Sequence, residues 1–378
     1  MKTIYFDAKR AFLNRRGLGN YSRDVIRLLT TYAPENQYCL LTPRYESDGQ
    51  PFPKECDWIA KDNHCSLLTP TGLWRLSPSL WRTCGCTHDI KRLSTDGETV
   101  YWGLSGEVPF GIRKTGCKVM VTMHDAIFMR YPELYSRGYR QLFEQKVRYA
   151  CEAADLIIAI SEQTKSDLLT FFDADEKKVR VVYQGCNNRF REPVSKEQIE
   201  DVRRKYNLPE HYILSVGAIE PRKNLRGLIE GMYSAHIELP LVAVGGKSRY
   251  AAEMAELARM RKVELHYLHN LPFAELPAVY KMADVFCYPS LFEGFGIPIL
   301  ESMCIGTPVV TSTGSCFAET GGDAALYAAP ANFGEIGAQL KRVLSDSTLR
   351  ATMTTKGHEQ AEKFTDAKVA SNLKSLLC

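Results

Sequence analysis

No apolar run in the 378-residue chain reaches the ~18 residues that crossing a bilayer requires, so any membrane contact is expected to be peripheral. Low-complexity stretches and short-period repeats are also missing, which excludes fibrous and solenoid architectures. Charge of one sign is scarce: a net +4 is too little for a dedicated nucleic-acid binder. Twelve cysteines are present, yet none are spaced as CxxC. The one metal-like run, Cys84-Gly-Cys86-Thr-His88 with His64-Cys65 upstream, fits zinc poorly, and no metal is expected. Residues 1–7 enter a strand directly, without an apolar signal core, from which a cytoplasmic chain with reduced thiols is expected.

What is present is ordinary for a soluble globular chain, with 45% hydrophobic and 24% charged residues. At this length two domains are favoured over a single core. The positive excess sits in the first half: residues 1–185 hold 26 Lys and Arg against 22 Asp and Glu, and the rest hold 22 against 22. That half is therefore the one expected to meet an anionic surface.

Short β-branched or apolar runs alternate with helical patterns from end to end, the signature of βαβ units around parallel sheets. Strands are predicted at 2–6, 38–42, 99–102, 118–123, 156–160 and 179–183, and again at 212–216, 240–244, 263–268, 285–288, 308–311 and 325–328. Helices are predicted between them, among others at 19–33, 136–153, 224–235, 275–283 and 298–305. Two successive α/β patterns mean two doubly wound domains, with the boundary expected between Gly185 and Pro209. Ligands in such sheets bind at the carboxyl ends of strands, so a cleft between two facing sheets is the default active site.

Four segments carry chemistry. The richest is Glu293-Gly294-Phe-Gly296-Ile-Pro298-Ile-Leu-Glu301, which follows a strand and ends inside a helix. Its glycines permit close backbone approach, Pro298 suits a first helical turn, and the free N–H groups there favour an anion. Glu293 and Glu301 flank the turn and should reach different hydroxyl groups of an extended ligand. The second is Val216-Gly217-Ala-Ile-Glu220-Pro221-Arg222-Lys223-Asn224, where two adjacent cations at a sheet edge can hold a diphosphate and Asn224 can cap the next helix. The third is Asp7 at the end of the first strand with Gly17-Leu18-Gly19 opening a helix; the fourth is His124-Asp125 at another strand end.

In order and spacing these segments resemble the retaining glycosyltransferases of family 4, and among them the bacterial mannosyltransferase-like group. The match covers roughly residues 4–330: Asp7 with Gly17-x-Gly19, His124-Asp125, Ser161 opening a helix, the VGAIEPRKN run, EGFGIPILE and Gly306-Thr-Pro308-Val-Val. The resemblance implies the GT-B fold, two Rossmann-like α/β domains facing across a cleft. It places an acceptor-binding domain at 1–190, a nucleotide-sugar domain at 191–357 and a terminal helix, 358–378, packing back on the first domain. It implies that Arg222 and Lys223 hold the diphosphate, Glu293 contacts the donor sugar, and the backbone of Phe295, Gly296 and Ile297 cradles sugar and phosphate. Gly217 joins this donor site, Glu301 takes the ribose hydroxyls, and His124, Gly17 and Gly19 lie near the donor sugar. Catalytic roles fall to His124, Asp125, Arg222, Lys223 and Glu293. Retention of anomeric configuration with no cofactor and no metal is implied. GDP-mannose is the implied donor, with UDP- and dTDP-sugars left open. The implied acceptor is a surface polysaccharide such as O-antigen, or a lipid-linked oligosaccharide.

Two features depart from the pattern. Tyr183-Gln184-Gly185-Cys186-Asn187 differs from the usual loop at the domain junction, and Asp173-Ala-Asp175 imitates a metal-binding DxD but falls in a charged connection expected to be a solvated turn. For catalysis we expect front-face substitution, with the phosphate leaving under stabilisation by Arg222 and Lys223 and no protein nucleophile. The rival chemistry makes Glu293 or Asp125 a covalent nucleophile. Rival functions are a nucleotide-sugar epimerase, a glycan phosphorylase and an inactive nucleotide-sugar-binding subunit. The acceptor surface is assigned to residues 44–116, which hold Trp58, Trp74, Trp81 and Trp102. Trp74 and Trp81, with Arg75 and Arg82, open the reading of a peripheral face on the cytoplasmic side of the inner membrane.

Overall fold

The computed structural model describes residues 1–14, 17–43, 56, 58–59, 62–94 and 99–377. The chain forms two compact units, Met1–Gln184 with Asp366–Cys378, and Gly185–Thr365. Parts of the expected acceptor surface, 44–55, 57, 60–61 and 95–98, lie outside the described residues.

The first unit is built on seven parallel strands, β1 (Thr3–Asp7), β2 (Gln37–Leu41), β3 (Cys65–Leu68), β4 (Thr99–Gly103), β5 (Lys118–Met123), β6 (Leu156–Ala159) and β7 (Val179–Val181), in the order β3-β2-β1-β4-β5-β6-β7. Six of these match the predicted strands. The sequence reading missed β3, a four-residue edge strand paired only to β2 and half-exposed, so it carries neither a continuous apolar run nor a clean alternation. The central strands are covered on both faces, as parallel sheets require, with Ile4, Phe6, Val119 and Ile157 fully buried. The helix Gly17–Tyr32 buries Tyr21, Val25, Ile26, Leu28 and Leu29 at helical spacing against this core.

The terminal helix is shorter than expected. Residues 358–365 stay with the second unit, in the helix Ser347–Ala361 and the turn Glu362–Phe364. Only Asp366–Ser375 returns to the first unit, where it packs on Gly17–Tyr32 and pairs Asp366 with Arg27 at 2.7 Å. Phe364, 2% exposed, accounts for the break: it is buried against Phe295 of the second unit, with ring centroids 5.6 Å apart.

The second unit has six parallel strands, β8 (Ile213–Val216), β9 (Leu241–Val244), β10 (Leu265–Leu268), β11 (Val285–Tyr288), β12 (Val309–Ser312) and β13 (Ala325–Ala328), each where a strand is predicted. Their order is β10-β9-β8-β11-β12-β13. This is the doubly wound arrangement, in which the order reverses between β8 and β11; the crevice outside the carboxyl ends of that pair is where such sheets take ligands. The first unit has the same reversal between β1 and β4.

Candidate functional site

In the second unit the loops after β8 and β11 meet at the reversal. The β8 loop passes Gly217 and the turn Pro221–Lys223 into the helix Leu225–Ser234. Asn224 caps that helix, its Oδ1 accepting from the Gly227 N–H at 3.1 Å. Its Nδ2 donates to the carbonyls of Pro289 at 3.0 Å and Pro330 at 2.9 Å, so the same side chain ties the β8 loop to the β11 loop.

Arg222 and Lys223 converge on Glu293. Arg222 Nη1 lies 2.8 Å from Glu293 Oε1 and donates to Phe292 O at 2.7 Å, while Nη2 donates to Glu220 Oε1 at 2.8 Å. Lys223 Nζ donates at 2.6 Å to both Glu293 Oε1 and the Tyr288 hydroxyl, and sits 4.9 Å from the Tyr288 ring centroid. A Cβ on Gly217 would come within 3.7 Å of the Lys223 chain, which places that glycine beside the cation. Glu293 is only 8% exposed; burial alone would raise its pKa, but Lys223 and Arg222 overcome this and hold it below the ordinary carboxylate range. The result is two preorganised cations whose carboxylate partners an incoming diphosphate can replace.

The helix Ile297–Ile305 begins beside this cluster. Gly296 occupies its N-cap with φ of +92°, a conformation costly for any residue with a Cβ, and offers no capping side chain. With Pro298 in the first turn, the positive end of this helix has no capping side chain, as an anion site requires. The loop is pinned from the β12 side. Ser315 Oγ accepts from the Glu293 N–H at 3.1 Å and donates to the Glu293 carbonyl at 2.9 Å, and Thr320 Oγ1 donates to the Phe295 carbonyl. Phe295 itself is buried, so only its backbone can serve a ligand. Glu301 is also 8% exposed rather than solvated; burial pushes its pKa up to about 7, against the lowering effect of a hydrogen bond from Tyr280 at 2.9 Å.

The first unit assembles a different cluster at its own reversal. Arg82 donates to Asp7 through Nε at 3.1 Å and Nη2 at 2.8 Å, and Nη2 also reaches Glu107 Oε2 at 2.7 Å. Lys146 Nζ reaches Glu107 Oε1 at 3.3 Å. Burial alone would lower the Arg82 pKa, but Asp7 and Glu107 raise it well above its ordinary value. Beside this cluster, after β5, His124 Nε2 faces the Leu104 carbonyl at 2.9 Å, so that nitrogen carries the proton and Nδ1 is the acceptor. Burial pushes its pKa down to about 4, which keeps the ring neutral at physiological pH. The Tyr21 ring meets it edge-on at 4.7 Å. Asp125 is exposed, and its Oδ1 accepts from the Ile127 N–H at 3.1 Å. Gly19 has a packing reason to be glycine, because a Cβ would fall 1.7 Å from the Asn14 carbonyl oxygen; Gly17 opens the helix with nothing near its missing Cβ.

Two expectations change and a third holds. Trp81 and Trp102 are fully buried, with indole N–H groups donating to Asp89 at 2.7 Å and Thr122 at 3.0 Å, so neither can meet a membrane. Arg82, expected on the same face, is turned inward to Asp7. Asp173 ends the helix Glu162–Phe172 in the left-handed conformation, and Asp175 caps the turn Glu176–Lys178, as a solvated connection should. The sequence reading also missed Glu220, Tyr288, Tyr280, Ser315 and Thr320. Thr313-Gly314-Ser315 has the small, turn-forming composition that marks the other strand ends, and that signal would have found Ser315.

The family model described as "Glycosyl transferases group 1" matches residues 198–360, and that described as "Glycosyltransferase Family 4" matches residues 99–189. The O-antigen chain mannosyltransferase B of Escherichia coli is 27% identical over 358 residues, covering 92% of each chain. The sucrose-phosphate synthase of Thermosynechococcus elongatus has the same fold, with a TM-score of 0.77 at 20% identity over 100% of this chain and 98% of that one. Anabaena HepE in complex with UDP-glucose gives a TM-score of 0.75 at 16% identity over 100% and 99%.

Proposed function

This chain is a glycosyltransferase of the GT-B fold, carrying a group 1 and a family 4 domain, and from that premise we propose that it transfers mannose from GDP-mannose to a hydroxyl of a growing surface polysaccharide. The observation that carries the reading is the meeting of Arg222, Lys223 and Glu293 at the β8–β11 reversal, beside an uncapped helix N-terminus. The mannosyl choice rests on the E. coli relative. The second unit is assigned the donor and the first the acceptor.

In this reading the diphosphate replaces carboxylate at Arg222 and Lys223, which then neutralise the charge that grows on the departing phosphate. An oxocarbenium-like sugar forms, and the acceptor hydroxyl attacks from the face the phosphate leaves, passing its proton to the leaving phosphate oxygen. Retention follows without a protein nucleophile. Glu293 is poorly suited to that rival role, since two cations hold its Oε1 and depress its basicity. His124, kept neutral, is suited to a hydrogen bond with a sugar hydroxyl and not to ion pairing. No metal is assigned a part. A thermal-shift panel of GDP, UDP and dTDP with their sugars tests the donor, because a ligand stabilises in proportion to its affinity and concentration. GDP-mannose is expected to give the largest shift; product NMR is expected to show the donor's anomeric configuration, and EDTA to leave turnover unchanged. A larger shift with UDP- or dTDP-sugars would replace the donor, and turnover of donor without acceptor would favour an epimerase.

A lipid-linked acceptor is supported by one surface of the first unit. Leu73 and Leu76 are 85% and 84% exposed on the turn Gly72–Leu76, next to exposed Arg75, with Leu80 and Phe110 also open nearby. No helix among the described residues is long and apolar enough to cross a membrane, so this contact would be peripheral. Co-sedimentation with phosphatidylglycerol vesicles should occur for the native chain and fail for Leu73→Glu/Leu76→Glu, with the donor thermal shift retained.

A further inference from the structure

The donor reading leaves unexplained how a carboxylate as buried as Glu301 stays ready to accept hydroxyl groups. Its Oε2 accepts from the Tyr280 hydroxyl at 2.9 Å, and no other hydrogen bond to its carboxylate occurs among the described residues. The hydroxyl's other acceptor in reach, the Pro298 carbonyl, is more distant at 3.4 Å, so its single proton goes to the carboxylate. Tyr280 comes from the neighbouring helix Leu276–Met282, is fully buried, and is fixed from three sides. Its ring stands edge-on to Phe190 at 5.8 Å and Phe286 at 5.2 Å, and its carbonyl accepts from Thr307 Oγ1 at 2.7 Å.

We propose that Tyr280 is the positioning residue for Glu301: by donating to Oε2 from a fixed ring it stabilises the carboxylate and leaves Oε1 to accept a ribose hydroxyl. The inference rests on the reading in which Glu301 takes the ribose. Its physical basis is that a charged acceptor binds hydroxyl groups about twice as strongly as a neutral one. Burial works against that charge and, among the described residues, Tyr280 is the one hydrogen-bond donor opposing it. The other titratable groups acting on Glu301 and Tyr280 are Cys304 on the same helix, Cys186 before it in the chain and Tyr288 at the end of β11, with Arg191 and Glu362 acting on Cys304. Burial raises the Cys186 thiol, whereas the Cys186 hydrogen bond lowers that of Cys304, so Cys304 is the group whose titration has to be told apart from that of Glu301.

The test is calorimetric binding of GDP, or of UDP should the nucleotide panel select it, from pH 6 to pH 9, with the 2′- and 3′-deoxy forms alongside. Native affinity should rise with pH through the range in which Glu301 ionises, and Cys304→Ser should leave that curve in place. Tyr280→Phe should move the rise upward by about one pH unit, giving roughly fivefold weaker binding at pH 7 and native affinity again at pH 9. Repair by alkali is the decisive feature, because a packing defect would weaken binding equally at every pH. A native curve in Tyr280→Phe, a loss independent of pH, or a curve abolished by Cys304→Ser would overturn the proposal. If Glu301→Gln binds as the native chain does and the deoxy nucleotides bind as well as the ribonucleotide, the ribose reading itself is overturned.

Discussion

The two units share a topology and differ in how they fill its reversal point. In the second, the ionic cluster comes from two short stretches, 220–224 and 288–296, and stands beside glycine turns and an uncapped helix. In the first, Asp7, Arg82, Glu107 and Lys146 come from four distant places in the chain, and Arg82 spends its guanidinium on two carboxylates. In the reading proposed above, the second cluster exchanges its partners for an anion, whereas the first is closed on its own carboxylates. On that reading the same fold position serves binding in one unit and stability in the other.

The largest effect should come from Lys223→Ala, with turnover down about a thousandfold at nearly unchanged melting temperature; a near-native rate would remove the functional half of the contrast. Arg82→Ala should do the opposite, costing about 3 kcal/mol in urea titration by stranding the buried Asp7 and leaving Glu107 to Lys146 alone. If it instead cuts turnover while stability holds, the first cluster too is a binding site. Glu301→Gln sharpens the comparison through pH. Because burial raises the folded-state pKa of Glu301 to about 7, its contribution to stability is complete below about pH 4.3 and lost as pH rises through 7. The variant should therefore gain on the native chain at pH 8, by up to roughly 3 kcal/mol, and gain nothing at pH 4. The smallest effect is Ser161→Ala, which removes the cap accepting from the Thr164 N–H at 3.0 Å and should cost about 1 kcal/mol without altering donor binding.

The same contrast explains what could be read from residues alone. All six strands of the second unit were legible, because each is a short β-branched or apolar run ending in a turn. Arg222, Lys223, Glu293, Gly296 and Glu301 stood out as candidates because each lies in a short motif that follows a strand. That Arg222 and Lys223 both hold Glu293 was not, since it depends on which strands become neighbours. Tyr280 looked like any apolar helix residue until its ring was placed against Glu301. In the first unit, Arg82 sits in a single π-helical turn, Trp81–Gly85, whose wider winding departs from the regular helical period, and nothing in the sequence links it to Asp7.

The return of Asp366–Ser375 to the first unit also bears on synthesis. A ribosome delivers the whole of Gly185–Thr365 before the helix that Arg27 awaits, so the first unit emerges early and is finished late. Until then the apolar side of Gly17–Tyr32 is partly bare, while the second unit has every strand it needs. Cutting the chain after residue 365 would thus injure the unit at the other end of the sequence.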